Sequence, residues 1–300
     1  MNENFKPAQV QDTDLFGVPI VKDPILRERF IEPPFSILDT KSGSWQKRKK
    51  VWGYLGMQSE VGRDAVCQPG KGTFAGKEIN MSGTSIFDPA LCEVLYHWFC
   101  PDGGTILDPF AGGSVRGIVA QKLGFKYVGI DIRQEQIDSN REQAVEILEH
   151  DNQPVWLVGD SNKVLDNVTC GDGVDFVFSC PPYADLEVYS DLEDDISTMP
   201  YAEFLEVYRS IIKKSCSMLK PGGLACFVVG EVRGKDGNYI GFVPDTIKAF
   251  VDAGMDYYNE AILLNAIGTA MMRANGCMKN KKLVKVHQNI YVFKKPGGNK

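Results

Sequence analysis

The sequence predicts an α/β protein built on a seven-stranded, mostly parallel sheet with one antiparallel strand. Three observations predict it. From Thr105 to Ala253, short β-branched or aromatic runs alternate with segments of helical period, the pattern of repeated strand–helix–strand units that bury a sheet between two helical layers. The first three of these strands each run into an aspartate: Asp108, Asp131 and Asp160. The last two strands, Asp256–Leu264 and Asn289–Phe293, have no periodic helix between them, which suits an antiparallel return.

Composition bounds the reading. A chain of 300 residues allows one large domain or one domain with an appendage. Hydrophobic residues at 43% and charged residues at 24% exclude an intrinsically disordered chain. A net charge of −6 excludes a uniformly basic coat protein but permits a local basic groove. There is no apolar run of about 18 residues, so no membrane span is expected. The stretch Met1–Ile20 lacks an apolar core, so no secretory signal is expected. Eight cysteines without a C-x-x-C pair, several in apolar contexts (Cys92, Cys100, Cys226), point to reduced core thiols in a cytoplasmic protein. With only three scattered histidines besides, no metal site is expected.

Taken in order, residues 1–81 read as an N-terminal arm of loops with a short helix around Pro24–Phe30 and an extended segment at Ile31–Asp39. The arm then packs cations around two tryptophans, with Trp45 and Trp52 bracketing Lys47, Arg48, Lys49 and Lys50. Basic residues interleaved with aromatics suit phosphate contact plus stacking; the competing reading is a helix with a solvated cationic face and both indoles in the core. Glu60–Ser82 is glycine-rich and aperiodic, and reads as a loop.

Residues 82–295 carry the sheet. Asp88-Pro89 is a sound helix start for Pro89–Phe99. Strand Thr105–Leu107 leads through Asp108-Pro109-Phe110-Ala111-Gly112-Gly113 to a helix over Ser114–Leu123. Strand Tyr127–Ile130 ends in Asp131 before a helix from Gln134 to Glu149, and strand Val155–Val158 ends in Gly159-Asp160-Ser161. Strand Val174–Phe178 is apolar enough to be buried on both faces and exits through Ser179-Cys180-Pro181-Pro182-Tyr183. Two prolines fix that exit in one stiff conformation. An acidic loop, Asp185–Pro200, follows, and its Asp185–Asp195 part reads as a flap. Helix Tyr201–Leu219, strand Leu224–Val229 and helix Pro244–Ala253 precede the final strand pair. Between that pair, residues 265–286 read as a long inserted basic loop with Arg273, Lys279, Lys281, Lys282 and Lys285; residues 296–300 are a tail.

The strand ends suggest a ligand. In open α/β sheets, ligands sit outside the carboxyl edge. Gly112-Gly113 lets a ligand approach the backbone, whereas Asp108 in the same turn disfavours a phosphate. Asp131, at the end of the second strand, stands where a carboxylate accepts hydrogen bonds from ribose hydroxyls. Asp160 and Ser161 suit an adenine's polar edge. A ligand with ribose, adenine and a cationic centre but no phosphate is S-adenosylmethionine.

These motifs resemble the amino-group DNA methyltransferases, which make N6-methyladenine or N4-methylcytosine. Asp108-Pro109-Phe110-Ala111-Gly112-Gly113-Ser114 resembles the family's cofactor motif, and Gly83-Thr84-Ser85-Ile86-Phe87 its second cofactor motif. Cys180-Pro181-Pro182-Tyr183 resembles its catalytic motif, and His287–Phe293 its closing strand; Pro33–Arg63 resembles a phage and prophage subgroup. The resemblance implies a Rossmann-like S-adenosylmethionine-dependent methyltransferase fold acting on double-stranded DNA, in a bacterial or phage-infected cytoplasm, within restriction–modification or a similar system. It implies cofactor contacts from Thr84, Ser85, Phe87, Asp108, Pro109, Phe110, Ala111, Gly112, Gly113, Asp131, Asp160 and Ser161. It further implies a base extruded from the duplex and stacked on Tyr183. Monomer and homodimer both remain open.

The family places Asp, Asn or Ser before Pro-Pro, and this chain has Cys180, with Ser179 one residue earlier. Ser179, Cys180, Pro181, Pro182 and Tyr183 are thus the candidate catalytic set, with backbone carbonyls or Ser179 standing in for the missing acceptor, since a thiol accepts weakly. Competing readings are a C5-cytosine enzyme using Cys180 as nucleophile, an RNA amine methyltransferase, a nicotinamide-dependent oxidoreductase and an inactive nucleic-acid-binding relative. Trp45, Lys47, Arg48, Lys49, Lys50, Arg273, Lys279, Lys281 and Lys282 are the expected DNA contacts.

Overall fold

The computed structural model describes residues 10–13, 19–21, 25–57, 72–74, 77–79, 87–182, 195–234, 236–265, 267–268 and 270–297. Alternation of apolar strands and amphipathic helices yields the expected doubly wound sheet. In chain order its elements begin with β1 (Val10–Thr13), β2 (Pro19–Val21), α1 (Ile25–Phe30), β3 (Ile37–Asp39), α2 (Gly43–Tyr54), β4 (Gly72–Phe74) and β5 (Lys77–Ile79). There follow α3 (Pro89–Phe99), β6 (Thr105–Asp108), α4 (Val115–Lys122), β7 (Lys126–Asp131), α5 (Gln134–Ile147), β8 (Val155–Val158), α6 (Ser161–Val164) and β9 (Val174–Ser179). The chain closes with α7 (Tyr201–Met218), β10 (Leu219–Val229), α8 (Phe242–Asp252), β11 (Asp256–Leu264), α9 (Ala270–Lys279) and β12 (His287–Lys294).

All seven expected strands form. They lie in the order β11-β12-β10-β9-β6-β7-β8, and β3 adds an eighth strand beside β11. Only β12 runs against its neighbours, β10 and β11; the other adjacent pairs are parallel. The chain runs outward from β6 through β7 to β8, then returns to the other side of β6 as β9. The order therefore reverses between β6 and β9, where doubly wound sheets open a crevice at their carboxyl edge.

β9 lies at the centre of the core. Phe176 and Phe178 point to one face and Val177 to the other, all fully buried. The two phenyl rings stack with centroids 5.9 Å apart, and Tyr96 of α3 stands edge-on to both. Such aromatic pairs contribute about 0.5–1.5 kcal/mol beyond the area they bury. Asp175 of β9 accepts from the Thr105 amide at 2.9 Å and from Lys220 Nζ at 3.0 Å, tying the start of β9 to β6 and β10.

Four sequence expectations change here. The arm and the 60–82 stretch, read as loops, include the antiparallel pairs β1–β2 and β4–β5; three- and four-residue strands are too short to show a period. Part of the arm belongs to the sheet through β3, whose Leu38 is buried. The 265–286 stretch is not all loop, because α9 lies within it. The acidic residues 185–194 lie outside the described residues, and Asp195, at the end of that stretch, caps a 3₁₀ turn at Ile196–Thr198. Among the described residues no helix is long and apolar enough to cross a membrane.

Candidate active site

The turn after β6 is organised by a residue the sequence reading passed over. Asp108 has no exposed surface. Its Oδ2 accepts from Arg116 Nε at 2.5 Å and from the Tyr127 hydroxyl at 2.7 Å. Its Oδ1 accepts from Ser179 Oγ at 2.6 Å and from the Phe110 amide at 3.1 Å. Arg116, on α4, also donates to the carbonyls of Phe110 and Ala111 and lies over the Phe87 ring, 4.8 Å from its centroid. Burial opposes the guanidinium's charge, but Asp108 and its neighbours more than offset this and hold Arg116 protonated. Asp108 is therefore a saturated buried hub, not a ligand-facing acid. Ala111, also fully buried, stays behind the surface of the turn. Arg116 was legible in retrospect: Val115, Ile118 and Val119 flank it in the buried part of α4, and a cation there needs a buried anion.

A cavity of about 650 Å³ opens at the carboxyl edge, and Pro109, Phe110, Gly112, Gly113, Asp131, Asp160 and Ser161 all line it, as does Phe87. Asp131 Oδ2 accepts from the Gly112 amide at 3.0 Å and Oδ1 from the Arg133 amide at 2.9 Å. Each oxygen keeps a lone pair for a ligand. Burial raises the Asp131 pKa, against the lowering effect of those two amides and the Arg133 charge. Gly112 is held from behind by α5, where Asn140 donates to its carbonyl at 2.7 Å and Gln136 donates to Asn140 at 3.0 Å. Its φ of +51° is one that side-chain-bearing residues rarely adopt. Asp160 caps α6 through the Asn162 amide at 2.8 Å, and Ser161 Oγ donates to the Pro109 carbonyl at 2.5 Å, fastening the third strand end to the first. Asp195, which the sequence reading assigned to the flap, also lines the cavity beside Ile196.

From the other side come Cys180, Pro181 and Pro182, which line the same cavity. Ser179 does not. It is fully buried with its hydroxyl turned back onto Asp108, so it is removed as an acceptor facing the cavity. Tyr183, Thr84 and Ser85 lie outside the described residues.

The cationic candidates separate into two kinds. Trp45 is 1% exposed and its indole donates to Asp88 at 3.0 Å, so it is core and not an exposed stacking surface. Trp52 likewise donates to Glu93 at 2.7 Å, and Arg48 pairs with Glu93 at 2.5 Å. The period of α2 thus turns both indoles and Arg48 toward α3, whose acids receive them. Lys47, Lys49 and Lys50 face outward, and Lys49 reaches both Asp88, at 3.3 Å, and the cavity rim. Arg273 of α9 and Lys285 also line the cavity. Burial lowers the Lys285 pKa, with Glu231 pulling the other way. Lys279 and Lys281 are exposed. Lys282 is half-buried beside the loop that carries Asp236 and Gly237. Among the described residues no His, Cys, Asp and Glu group could hold a metal.

The sequence model of the N6/N4 methyltransferase family, described as DNA methylase, matches residues 77–142, which is less than half of the chain. No curated protein matches the chain. Among solved structures, TrmN from Thermus thermophilus is 14% identical with a TM-score of 0.46; the match covers 70% of this chain and 49% of that one, so this chain spans about half its length. Magnesium protoporphyrin IX methyltransferase from Synechocystis PCC 6803, solved with bound SAM, is 15% identical over 69% of this chain and 79% of that one, with a TM-score of 0.43. A second Thermus thermophilus protein, provisionally described as a DNA modification methylase, is 22% identical over 47% of this chain and 52% of that one, with a TM-score of 0.35. None of the three bears on chemistry at these levels of likeness.

Proposed function

We propose that this chain is an S-adenosylmethionine-dependent methyltransferase acting on the exocyclic amine of adenine or cytosine in double-stranded DNA. One observation carries the reading: Asp131 and Asp160, at the ends of adjacent strands, meet the Cys180-Pro181-Pro182 turn in one cavity. The match of residues 77–142 to a DNA methylase family supports DNA as the substrate.

The residues present fit the cofactor. Asp131, Asp160 and Asp195 line the cavity and offer carboxylate acceptors to a ligand's hydroxyls and amines, while Lys49, Arg273 and Lys285 line it too. Asp131, with a lone pair on each oxygen, is the acceptor for ribose hydroxyls, and Asp160 for an adenine amine. Phe87, Phe110 and Ile196 supply apolar walls for a planar ring. When bound, S-adenosylmethionine supplies a methyl group on a cationic sulfur.

The chain's own contribution is positioning and electrostatic preorganisation. An exocyclic amine is a poor nucleophile because its lone pair is delocalised into the ring. Carbonyls in the Cys180-Pro181-Pro182 turn accept hydrogen bonds from the amine and direct the lone pair along the line of attack. The prolines offer no competing N–H. Tyr183 stacks on the extruded base, so Tyr183→Ala cuts transfer while cofactor binding stays nearly intact; full activity removes that role. Lys47, Lys49, Lys50, Arg273, Lys279 and Lys281 contact phosphates flanking the target.

The test is incubation with labelled S-adenosylmethionine and either unmethylated duplex genomic DNA or RNA, followed by mass spectrometry of the nucleosides. Label in N6-methyladenine or N4-methylcytosine from DNA is the expected result. Label in RNA alone, label in 5-methylcytosine, or cofactor binding with no transfer overturns the proposal.

A further inference from the structure

We infer that Arg133, Gln136 and Asn140 are positioning residues for the cofactor, closing a one-directional ring of hydrogen bonds through Gly112 and Asp131. The inference rests on the reading of Asp131 as the acceptor for ribose hydroxyls and adds what holds that carboxylate and its charge in place.

α5 is unusual on the face it turns inward. Gln136 and Asn140 are each 1% exposed and Gln143 is 5% exposed, at the three- and four-residue spacing that puts side chains on one helix face. A helix packed on a sheet normally gives that face to apolar side chains. Buried amides are kept there only where their hydrogen bonds are made. Here they are made to the turn after β6: Asn140 donates to the Gly112 carbonyl at 2.7 Å, and Gln143 accepts from Ser114 Oγ at 2.5 Å.

The bonds continue beyond Asn140. Gln136 Nε2 donates to Asn140 Oδ1 at 3.0 Å, and Arg133 Nη2 donates to Gln136 Oε1 at 2.6 Å. Arg133 then closes the ring. Its backbone amide donates to Asp131 Oδ1 at 2.9 Å, while the Gly112 amide donates to Asp131 Oδ2 at 3.0 Å. A guanidinium only donates and a carbonyl only accepts. With Arg133 at one end and the Gly112 carbonyl at the other, each side-chain amide has a single orientation that satisfies both neighbours. Bonds in such a chain polarise one another, and the glycine that receives the last of them presents its own amide to Asp131.

The consequence for a ligand follows from the carboxylate. Each Asp131 oxygen spends one lone pair on the ring and keeps another for the cavity, so the ring sets the direction of both. Charge adds to direction. Burial opposes ionisation of Asp131, the Arg133 amide and guanidinium favour it, and Asp195 works with burial. Arg133, which lines the cavity itself, thus helps keep Asp131 an ionised acceptor. Among the described residues, the other charged groups lining the cavity are Asp88, Asp160, Lys49, Arg116, Arg273 and Lys285. All of them are shared by wild type and the variants below, so their influence cancels in the comparison.

The experiment titrates the full chain with S-adenosylmethionine by calorimetry across the acid range, and follows urea unfolding of the same variants without cofactor. Arg133→Gln is expected to weaken binding about tenfold. It should also move the acid limb of the affinity profile to higher pH, because Asp131 loses a favourable cation. Arg133→Lys keeps the charge and is expected to return the limb to its wild-type position. Gln136→Met fills similar space without polar atoms and is expected to weaken binding about tenfold with the limb unmoved. Combined with Asp131→Asn, it should weaken binding by less than the product of the two single effects. Wild-type affinity in Arg133→Gln overturns the ring, as does weakened binding with no movement of its limb, which marks a merely structural role. If unfolding shows that Gln136→Met does not fold, Arg133→Gln decides alone. Wild-type affinity in Asp131→Asn overturns instead the reading of Asp131 as the ribose acceptor, through a separate variant.

Discussion

Ser179 Oγ donates to Asp108 Oδ1 at 2.6 Å. This bond joins the end of β9 to the end of β6 across the crevice, so the turn proposed to hold the target amine and the turn proposed to hold the cofactor share a buried anchor. Ser179→Ala is expected to cost about 1–2 kcal/mol of stability, a buried acceptor losing one donor to a charged group. Transfer per folded molecule should stay within about threefold. Urea unfolding and a rate measured at saturating cofactor check the two halves separately.

Arg116→Met should be far more damaging, because it leaves Asp108 as a buried charge without its cation. About 3–5 kcal/mol of destabilisation is expected. Pairing it with Asp108→Asn should recover part of that loss, since no uncompensated charge then remains. A double-mutant cycle by urea unfolding reads the coupling; additive losses would sever the proposed link.

Asp131→Asn should weaken cofactor binding roughly ten- to a hundredfold, the worth of a charge-assisted hydrogen bond. The sign of the pH effect follows from burial, which raises the Asp131 pKa. In the free protein its contribution to stability is greatest below the ordinary carboxylate range and is lost as pH rises through the raised value. Ribose hydroxyls donate to the ionised form, so affinity should fall as pH drops through that same value. Calorimetric titration across the acid range should show this limb in wild type and a flat profile in the asparagine variant.

Cys180→Ala separates two chemistries. If backbone carbonyls hold the amine, transfer should stay within about tenfold of wild type, since a thiol contributes little as an acceptor. Abolished transfer in the variant, with wild type methylating cytosine at C5, would identify a nucleophilic thiolate instead.

On the cationic surface, Lys279→Gln and Lys281→Gln should each reduce the slope of log affinity against log salt by about 0.9 on duplex DNA. Lys282→Gln should change it less, because Lys282 lies against the Asp236 loop. Trp45→Ala should instead lower stability by about 3–5 kcal/mol, as expected for a buried tryptophan. Fluorescence anisotropy at several salt concentrations tests the first set and thermal unfolding the second.

The sheet was readable in the sequence because its strands are apolar and its helices periodic: Val174–Ser179 declares itself by composition alone. What escaped were elements without a burial period. α9 buries only Ala270 and presents methionines to solvent, so no apolar stripe marks it as a helix. Asp108, Asp131 and Asp160 looked equivalent at successive strand ends, yet one turns inward to a guanidinium and two turn toward the cavity. A one-dimensional pattern gives the position of a carboxylate and not its direction. For Trp45 the sequence offered a core indole beside a stacking one, and the choice rested on Asp88, its partner, which lies 43 residues away.

The antiparallel pairing of β11 with β12 has a further consequence. Leu264 and His287 are register partners, and the Asn265 amide donates to the Val286 carbonyl at 3.0 Å, so the segment between them leaves and re-enters the sheet at adjacent points. Such a segment is a cassette. It can lengthen or shorten while the strands beneath it keep their register, so a change within it leaves the β11–β12 pairing intact.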